Sequence, residues 1–218
     1  MIELELRNDV YRRPLATALD RLGLREGWRC ADVGAGGGDV TVALARIVGR
    51  DGRVYAIDSD PKRRDEVAKA AAQAAQAQVV ALTQSGEALL LPEPIDLAYC
   101  RFLLLHVPDP VVVLSRMREA VRPGGWVVAQ EPITTAGRID GIPFSAPEAL
   151  HADIGATLPA LILAAGLELV DAWAEAPAWA GPGAVADYAE ALTDVDPGND
   201  PIVLPPLVTV VCRRPMDG

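Results

Sequence analysis

The chain has 218 residues, half of them hydrophobic, with a formal charge of −10 and a pI near 4.7. This length suits one domain over 1–218 with a large core, and the acidic balance argues against a nucleic-acid substrate, because phosphate contacts need a basic face. No run of about 18 uninterrupted apolar residues reads as a membrane span, and the charged Glu3, Glu5, Arg7 and Asp9 are unlike a secretory signal, so a cytoplasmic location is expected.

Residues 1–9 alternate apolar and charged side chains, which fits a short edge strand or a flexible lead-in. Leu15, Ala18, Leu19 and Leu22 then mark an amphipathic helix ending at Gly23, and residues 1–27 read together as a cap region. Tyr11, just before that helix, either covers a ligand pocket or simply packs. Trp28 to Val33 reads as a buried parallel strand that ends at glycines. Val40, Leu44, Ile47 and Val48 recur at helical spacing, with Gly49 as the stop. Asp51-Gly52 is a turn, Val54–Ile57 is the second strand, and Asp58 ends it. Asp60 and Pro61 start a helix as N-cap and first residue, and an Ala/Gln-rich stretch carries it to about residue 77.

Gln78–Leu82 is the third strand, followed by Ser85-Gly86-Glu87-Ala88. Ile95–Cys100 is the fourth, and Arg101 to Val107 forms a loop and short helical turn after it. Asp109-Pro110 caps a helix with apolar Val113, Leu114, Met117 and Val121, stopped by Arg122-Pro123-Gly124-Gly125. Trp126–Gln130 is the fifth strand, ending at Glu131-Pro132. Residues 133–153 are a polar connection at the carboxyl end of the sheet, a natural lid. Ala156–Ala165 is a helix closed by Gly166, Leu167–Ala174 is the sixth strand, and Val208–Cys212 is the last. Residues 175–206 are rich in proline and glycine, with one helix near 184–192. Cys30, Cys100 and Cys212 all fall in predicted strands without metal-ligand spacing, and read as buried thiols in a reducing compartment.

The stretch Asp32-x-Gly34-x-Gly36-x-Gly38 joins the first strand to its helix. Glycines there admit positive φ and let a ligand approach the backbone, and the helix start adds free N–H groups. That describes a nucleotide or nucleoside site at the carboxyl end of a strand. A dinucleotide fingerprint wants glycine at its sixth position, where this chain has Asp39, and no P-loop lysine follows. Asp32, two residues before the first glycine, suits a cationic ligand better than a phosphate. S-adenosylmethionine has an amino group, a sulfonium and no phosphate. Asp58, 20 residues after Gly38, is placed to accept both ribose hydroxyls of an adenosine.

These residues, with Ser85-Gly86-Glu87, Ile95-Asp96-Leu97, Arg101-Phe102-x-x-x-His106 and Arg122-Pro123-Gly124-Gly125-Trp126, resemble class I S-adenosylmethionine-dependent methyltransferases, especially the small-molecule subgroup with the ubiquinone/menaquinone-type enzymes. The similarity covers roughly residues 15–132, with a weaker echo to about 174. It implies a Rossmann-like α/β fold, a three-layer αβα sandwich with a seven-stranded, mostly parallel sheet in the order 3-2-1-4-5-7-6, the last strand antiparallel. It implies that Gly34, Ala35, Gly36 and Gly38 pack against the methionine part of the cofactor, with Asp32 among the cofactor-binding residues. Asp58 would hold the ribose, Glu87 with Ala88 would border the adenine, and Ser59, Gly86 and Arg101 would be among the cofactor-binding residues. Glu87 stands where the family more often has aspartate. The connection after Glu131 and the N-terminal region are short for the family, which leaves the pocket open or completed by a second copy, so a homodimer is an expectation.

Methyl transfer from a sulfonium is an in-line displacement, and alignment alone can supply about 7–11 kcal/mol of barrier reduction. A base is needed only if the acceptor must lose a proton. His106 is the candidate base, with a framework role as its alternative; His151 in the presumed lid is comparable. Glu131 either contacts substrate or caps a neighbouring element. Cys100 ends a buried strand and lacks the exposed, electropositive setting of a nucleophile. No acidic and amide cluster after the fourth strand suggests a metal. The leading reading is a small-molecule methyltransferase; a non-catalytic binding or partner protein on the same fold, and a nicotinamide oxidoreductase, are the alternatives. Specificity would reside in 133–153 and 175–206.

Overall fold

The computed structural model describes residues 2–74, 78–146, 148–193 and 196–216. Its first element overturns the alternation read over residues 1–9. Ile2–Val10 is a helix, α1, which passes through Tyr11 into α2 (Arg12–Leu22), ended by Gly23 in the left-handed conformation. Tertiary packing decides against a strand. In the helix Leu6 and Val10 lie one turn apart and pack on a cluster containing Tyr11, Phe144 and Tyr188. Leu4 points elsewhere: a Cβ added to Gly37 would stand 3.0 Å from its Cδ2.

Alternating β and α elements follow, as the local patterns require. These are β1 (Arg29–Val33), α3 (Asp39–Val48), β2 (Arg53–Asp58), α4 (Pro61–Ala74), β3 (Gln78–Thr83), β4 (Ile95–Arg101), α5 (Pro110–Ala120) and β5 (Val121–Pro132). Asp60 Oδ1 accepts from the Lys62 N–H at 2.9 Å, so the expected cap of α4 forms; the helix end expected at 75–77 lies outside the described residues. Asp109 caps α5 through the Val111 and Val112 amides. Val121 does not belong to α5: it pairs with Ile95, and the register shifts before Leu97 meets Trp126, so residues 122–125 are an irregular entry to β5.

After β5 come β6 (Arg138–Ile139), β7 (Ile142–Pro143), α6 (Ile154–Ala164), β8 (Glu168–Glu175), β9 (Ala178–Ala180), α7 (Ala184–Thr193), β10 (Pro201–Val203) and β11 (Leu207–Arg213). The main sheet runs β3-β2-β1-β4-β5-β11-β8, with β11 antiparallel to both neighbours, which is the Rossmann-like methyltransferase arrangement expected. Its two faces follow from the two-residue period of the strands. Cys30, Val54, Leu97, Tyr99 and Val128 meet α2 and α3 on one face. Ala31, Tyr55, Ala98, Cys100 and Val127 meet α5 and α6 on the other.

The segments read as irregular, 133–153 and 175–206, contribute a second, four-stranded antiparallel sheet in the order β7-β6-β10-β9. Its β6–β7 hairpin turns at Asp140-Gly141, with φ of 45° and 78°, which is the chemistry of a two-residue turn with both residues left-handed.

The α6 layer is tested at Leu158, which is fully buried against the sheet. Leu158→Ala should cost about 2–5 kcal/mol of unfolding free energy, read from urea transitions at constant m. A cost under about 1 kcal/mol would mean that α6 does not pack as described.

Candidate active site

The order β3-β2-β1-β4 sets the loops after these parallel strands along one edge of the sheet. The glycine loop is shaped by its neighbour. Gly34 and Ala35 N–H both donate to the Ile57 carbonyl, at 2.8 and 2.9 Å, and Gly36 N–H donates to Asp58 Oδ2 at 2.9 Å. Asp58 Oδ1 accepts from the Asp60 N–H at 3.0 Å. Each carboxylate oxygen retains a lone pair, and the half-exposed side chain can present them to a pair of hydroxyls. Gly34 cannot be replaced without strain: its φ is +79°, and a Cβ would stand 2.9 Å from Leu103 Cδ1. Gly38, at φ +82°, abuts Val67 of α4.

The other residues singled out from the sequence divide by position. Asp32 is buried beneath the loop, where Thr41 Oγ1 donates to its Oδ2 at 2.6 Å. Burial raises its pKa to about 7, against the opposing Thr41 hydrogen bond. Ala35 is buried against Ala56 and Val67 and offers its backbone, not its side chain, to the loop. Ser59 is exposed beside Asp58. Gly86 is buried, with Val113 Cγ1 3.0 Å from the place of a Cβ, so the 86–88 turn lies close over α5. Glu87 is half-buried, Ala88 is exposed, and the Glu87 carbonyl accepts from Arg116 Nε at 3.2 Å.

Arg101 is buried, and its guanidinium is engaged by Asp39, by Asn8 Oδ1 at 3.1 Å and by the Tyr11 carbonyl at 3.2 Å. It clasps α1 to the start of α3. The pairing also changes the argument from Asp39: a carboxylate neutralised by Arg101 is a weaker obstacle to a pyrophosphate than the sequence alone implies.

Beyond the turn after β4 lies a cavity of about 310 Å³, in the range of small-molecule sites. Tyr11, Phe102, Phe144 and Tyr188 supply aromatic walls, and Arg7, His106 and Glu148 supply charge or polarity. Tyr11 packs edge-to-face on Phe102, with centroids 5.1 Å apart, and its hydroxyl donates to the Pro205 carbonyl at 2.8 Å. The Arg7 guanidinium lies over the Phe102 ring at 4.6 Å. Phe102 has φ +53°, a strained conformation for a bulky residue. His106 stands at the rim, its pKa lowered by partial burial and by Arg7. His151 does not line the cavity; its backbone N–H donates to the Leu105 carbonyl. The cavity is walled by residues of α1 and α7 and by others between Pro132 and Ala149. Arg7 and Tyr188 were missed by sequence reasoning, Arg7 because its segment was not read as a helix. Tyr188 sits on the inner face of the helix expected near 184–192, a signal its spacing with Ala189 and Leu192 carried.

Residues 31–129 match the family model described as a methyltransferase domain. The matched stretch is 99 residues long, a little under half of the chain. A demethylmenaquinone methyltransferase from Staphylococcus aureus is 34% identical over 113 residues, covering 50% of this chain and 45% of the relative. The chain thus matches a little under half the length of that relative. The methyltransferase fold is shown by solved structures as well. A SAM-dependent methyltransferase from Aquifex aeolicus superposes with a TM-score of 0.62 at 17% identity, over 91% of this chain and 88% of that one. The cyclase SpnF gives a TM-score of 0.62 at 17% identity, over 94% and 85%. Among the described residues, no group of three or more His, Cys, Asp or Glu is placed to hold a metal, and no helix is long and apolar enough to cross a membrane.

Asp32 gives the site a pH signature. Its carboxyl titrates near 7 when folded and near 3.8 when free. Between those values the unfolded chain has released a proton that the folded chain keeps, so stability falls as pH rises and levels off above about 7. Glu131, also raised by burial to about 7, acts in the same sense. Asp32→Asn keeps an acceptor for Thr41 and should reduce the fall in urea midpoint from roughly pH 4.5 to 7.5. An unchanged slope would show that Asp32 is already ionised in the fold.

Proposed function

We propose that the chain is an S-adenosylmethionine-dependent methyltransferase acting on a small apolar, aromatic acceptor. The observation that carries the reading is the close approach of the Leu103 side chain to Gly34, where a Cβ would stand 2.9 Å from Leu103 Cδ1; it sets the glycine loop beside the turn whose Leu105 and His106 line the aromatic cavity. The donor set fits the cofactor: Asp58 offers acceptors for hydroxyls, and the loop offers backbone without a phosphate-binding lysine. Bound S-adenosylmethionine would supply a methyl group already activated on sulfur. The chain's own part is to align the acceptor between Phe102, Tyr11 and Phe144 and to exclude water from it. Residues 1–27 then act as a cap, and 133–153 and 175–206 as the acceptor-selecting segments. His106, held toward its neutral form by partial burial and by Arg7, can take a proton from an acceptor hydroxyl at the rim. The Staphylococcus aureus relative's name makes a reduced quinone or hydroxynaphthalene the first acceptor class to assay. Buried thiols at Cys30, Cys100 and Cys212 fit a cytoplasmic location.

Calorimetric titration with S-adenosylmethionine and S-adenosylhomocysteine tests the cofactor site. Loss of the Asp58 carboxylate removes charge-assisted bonds of about 1.5–3 kcal/mol, so Asp58→Ala should weaken binding roughly 10- to 100-fold. Because Asp58 also holds Gly36, circular dichroism must show the variant folded. No binding of either ligand to the intact chain would refute the methyltransferase reading. Given binding, incubation with hydroxyaromatic acceptors and mass spectrometry for methylated product identifies the substrate.

A further inference from the structure

The turn that forms one wall of the cavity has no regular secondary structure to hold it, and it leaves a residue with positive φ. Residues 104–106 make a single 3-10 turn, preceded by Phe102 at φ +53°. Its leading amides need acceptors. No side chain at the turn's own N-terminus supplies one. Glu131, from the end of β5, does. Its Oε1 accepts from the Leu103 N–H at 2.9 Å and the Leu104 N–H at 2.8 Å, and its side chain is fully buried. One residue earlier on β5, the Gln130 carbonyl accepts from the Phe102 N–H at 3.0 Å. Three successive amides are therefore held by two successive residues of β5. Glu131 Oε2 is buried without a hydrogen-bond partner, and Glu131 does not line the cavity. Its Oε1 is thus directed at the turn.

We propose that Glu131 is a positioning residue for the acceptor site, a cap reached across from β5 that fixes the Phe102–His106 turn in the cavity wall. The role as an acceptor site rests on the methyltransferase reading; the positioning itself does not. Of the two roles open to Glu131 in the sequence, this selects the cap. The bonds need an oxygen acceptor and not a negative charge, so an amide should replace the carboxylate and a thioether should not. Arg7 and the turn's own burial set the titration of His106; a released turn exposes the imidazole and changes that titration.

The chain has two histidines, so the imidazole protons of His106 and His151 can be followed individually by NMR, with His151→Asn giving the assignment. In the wild type, His106 should titrate below an ordinary imidazole, and the Leu103 and Leu104 amides should be protected from exchange. Glu131→Gln should preserve both features. Glu131→Met should speed exchange of the two amides by about tenfold or more and move the His106 titration upward, toward the ordinary value. A folded Glu131→Met that leaves His106 and the two amides unchanged overturns the proposal. Should Glu131→Met not fold, the other two proteins decide. Unprotected Leu103 and Leu104 amides in the wild type, or a folded Glu131→Gln in which the turn is released, would equally overturn it. Protection in both proteins supports it. None of these readouts requires turnover, so failure of the methyltransferase reading would be seen separately, as absence of S-adenosylhomocysteine binding.

Discussion

The end of β2 holds the glycine loop, and the site depends on that attachment. A loop of glycines has no preferred shape, and ordering it costs more backbone entropy than ordering other residues. Here its first three amides are taken by the Ile57 carbonyl and the Asp58 carboxylate. The attachment exists because β1 and β2 are parallel neighbours with Val33 opposite Ile57, which brings Gly34 and Asp58 to the same height. Asp58 therefore does two things with one side chain. It shapes the loop through Gly36 and holds the start of the next turn through the Asp60 N–H.

The next level is a layer of buried polar groups across the carboxyl half of the sheet. Burying such groups is unfavourable unless they are hydrogen-bonded. Asp32 is closed by Thr41. Gln130 accepts from the Tyr99 hydroxyl at 2.6 Å and donates to the Pro14 carbonyl at 3.0 Å and to Thr209 at 2.8 Å, which joins β4, α2 and β11. Arg101 joins α1 to α3. Asp32 ties β1 to the helix that follows it, whereas Gln130 and Arg101 link elements distant in sequence, and together they fix the floor on which the cavity stands. Glu131 belongs to this layer and extends it upward to the turn after β4.

How much of this could be read from the sequence follows from how local each signal is. The strand–glycine–helix unit from Trp28 to Gly49 was legible because turn residues, strand length and helix period all lie within a short stretch. The caps at Asp60 and Asp109 and the stops at Gly23 and Gly166 were legible for the same reason. Residues 1–9 were misread because only tertiary contacts choose between a strand and a helix: Leu6 and Val10 need the cluster built by Phe144 and Tyr188, well over a hundred residues away. The second sheet was not legible because its strands are two or three residues long, too short for any period to show. The Asp140-Gly141 turn was the one local clue. Val121 was placed on a helix because its apolar spacing continues that of Met117, whereas pairing with Ile95 draws it into β5.

The division between legible and illegible parts coincides with the division between the glycine loop and the aromatic cavity. The glycine loop rests on neighbouring parallel strands. The cavity rests on pairings between segments far apart, Ile139 with Ile202 and Ile202 with Trp179. A fold shared with SpnF, a cyclase, as well as with methyltransferases cannot by itself fix the reaction. The chemistry must be set where these two parts meet. The two parts meet at Leu103 beside Gly34, at Leu4 of α1 beside Gly37, and at Arg101 between Asp39 and α1. Substitutions in the small sheet or α7 can therefore reshape the acceptor cavity while leaving the loop intact, whereas a change at Leu103 or Arg101 reaches both. That asymmetry makes the turn after β4 the point at which the glycine loop and the aromatic cavity are brought into register.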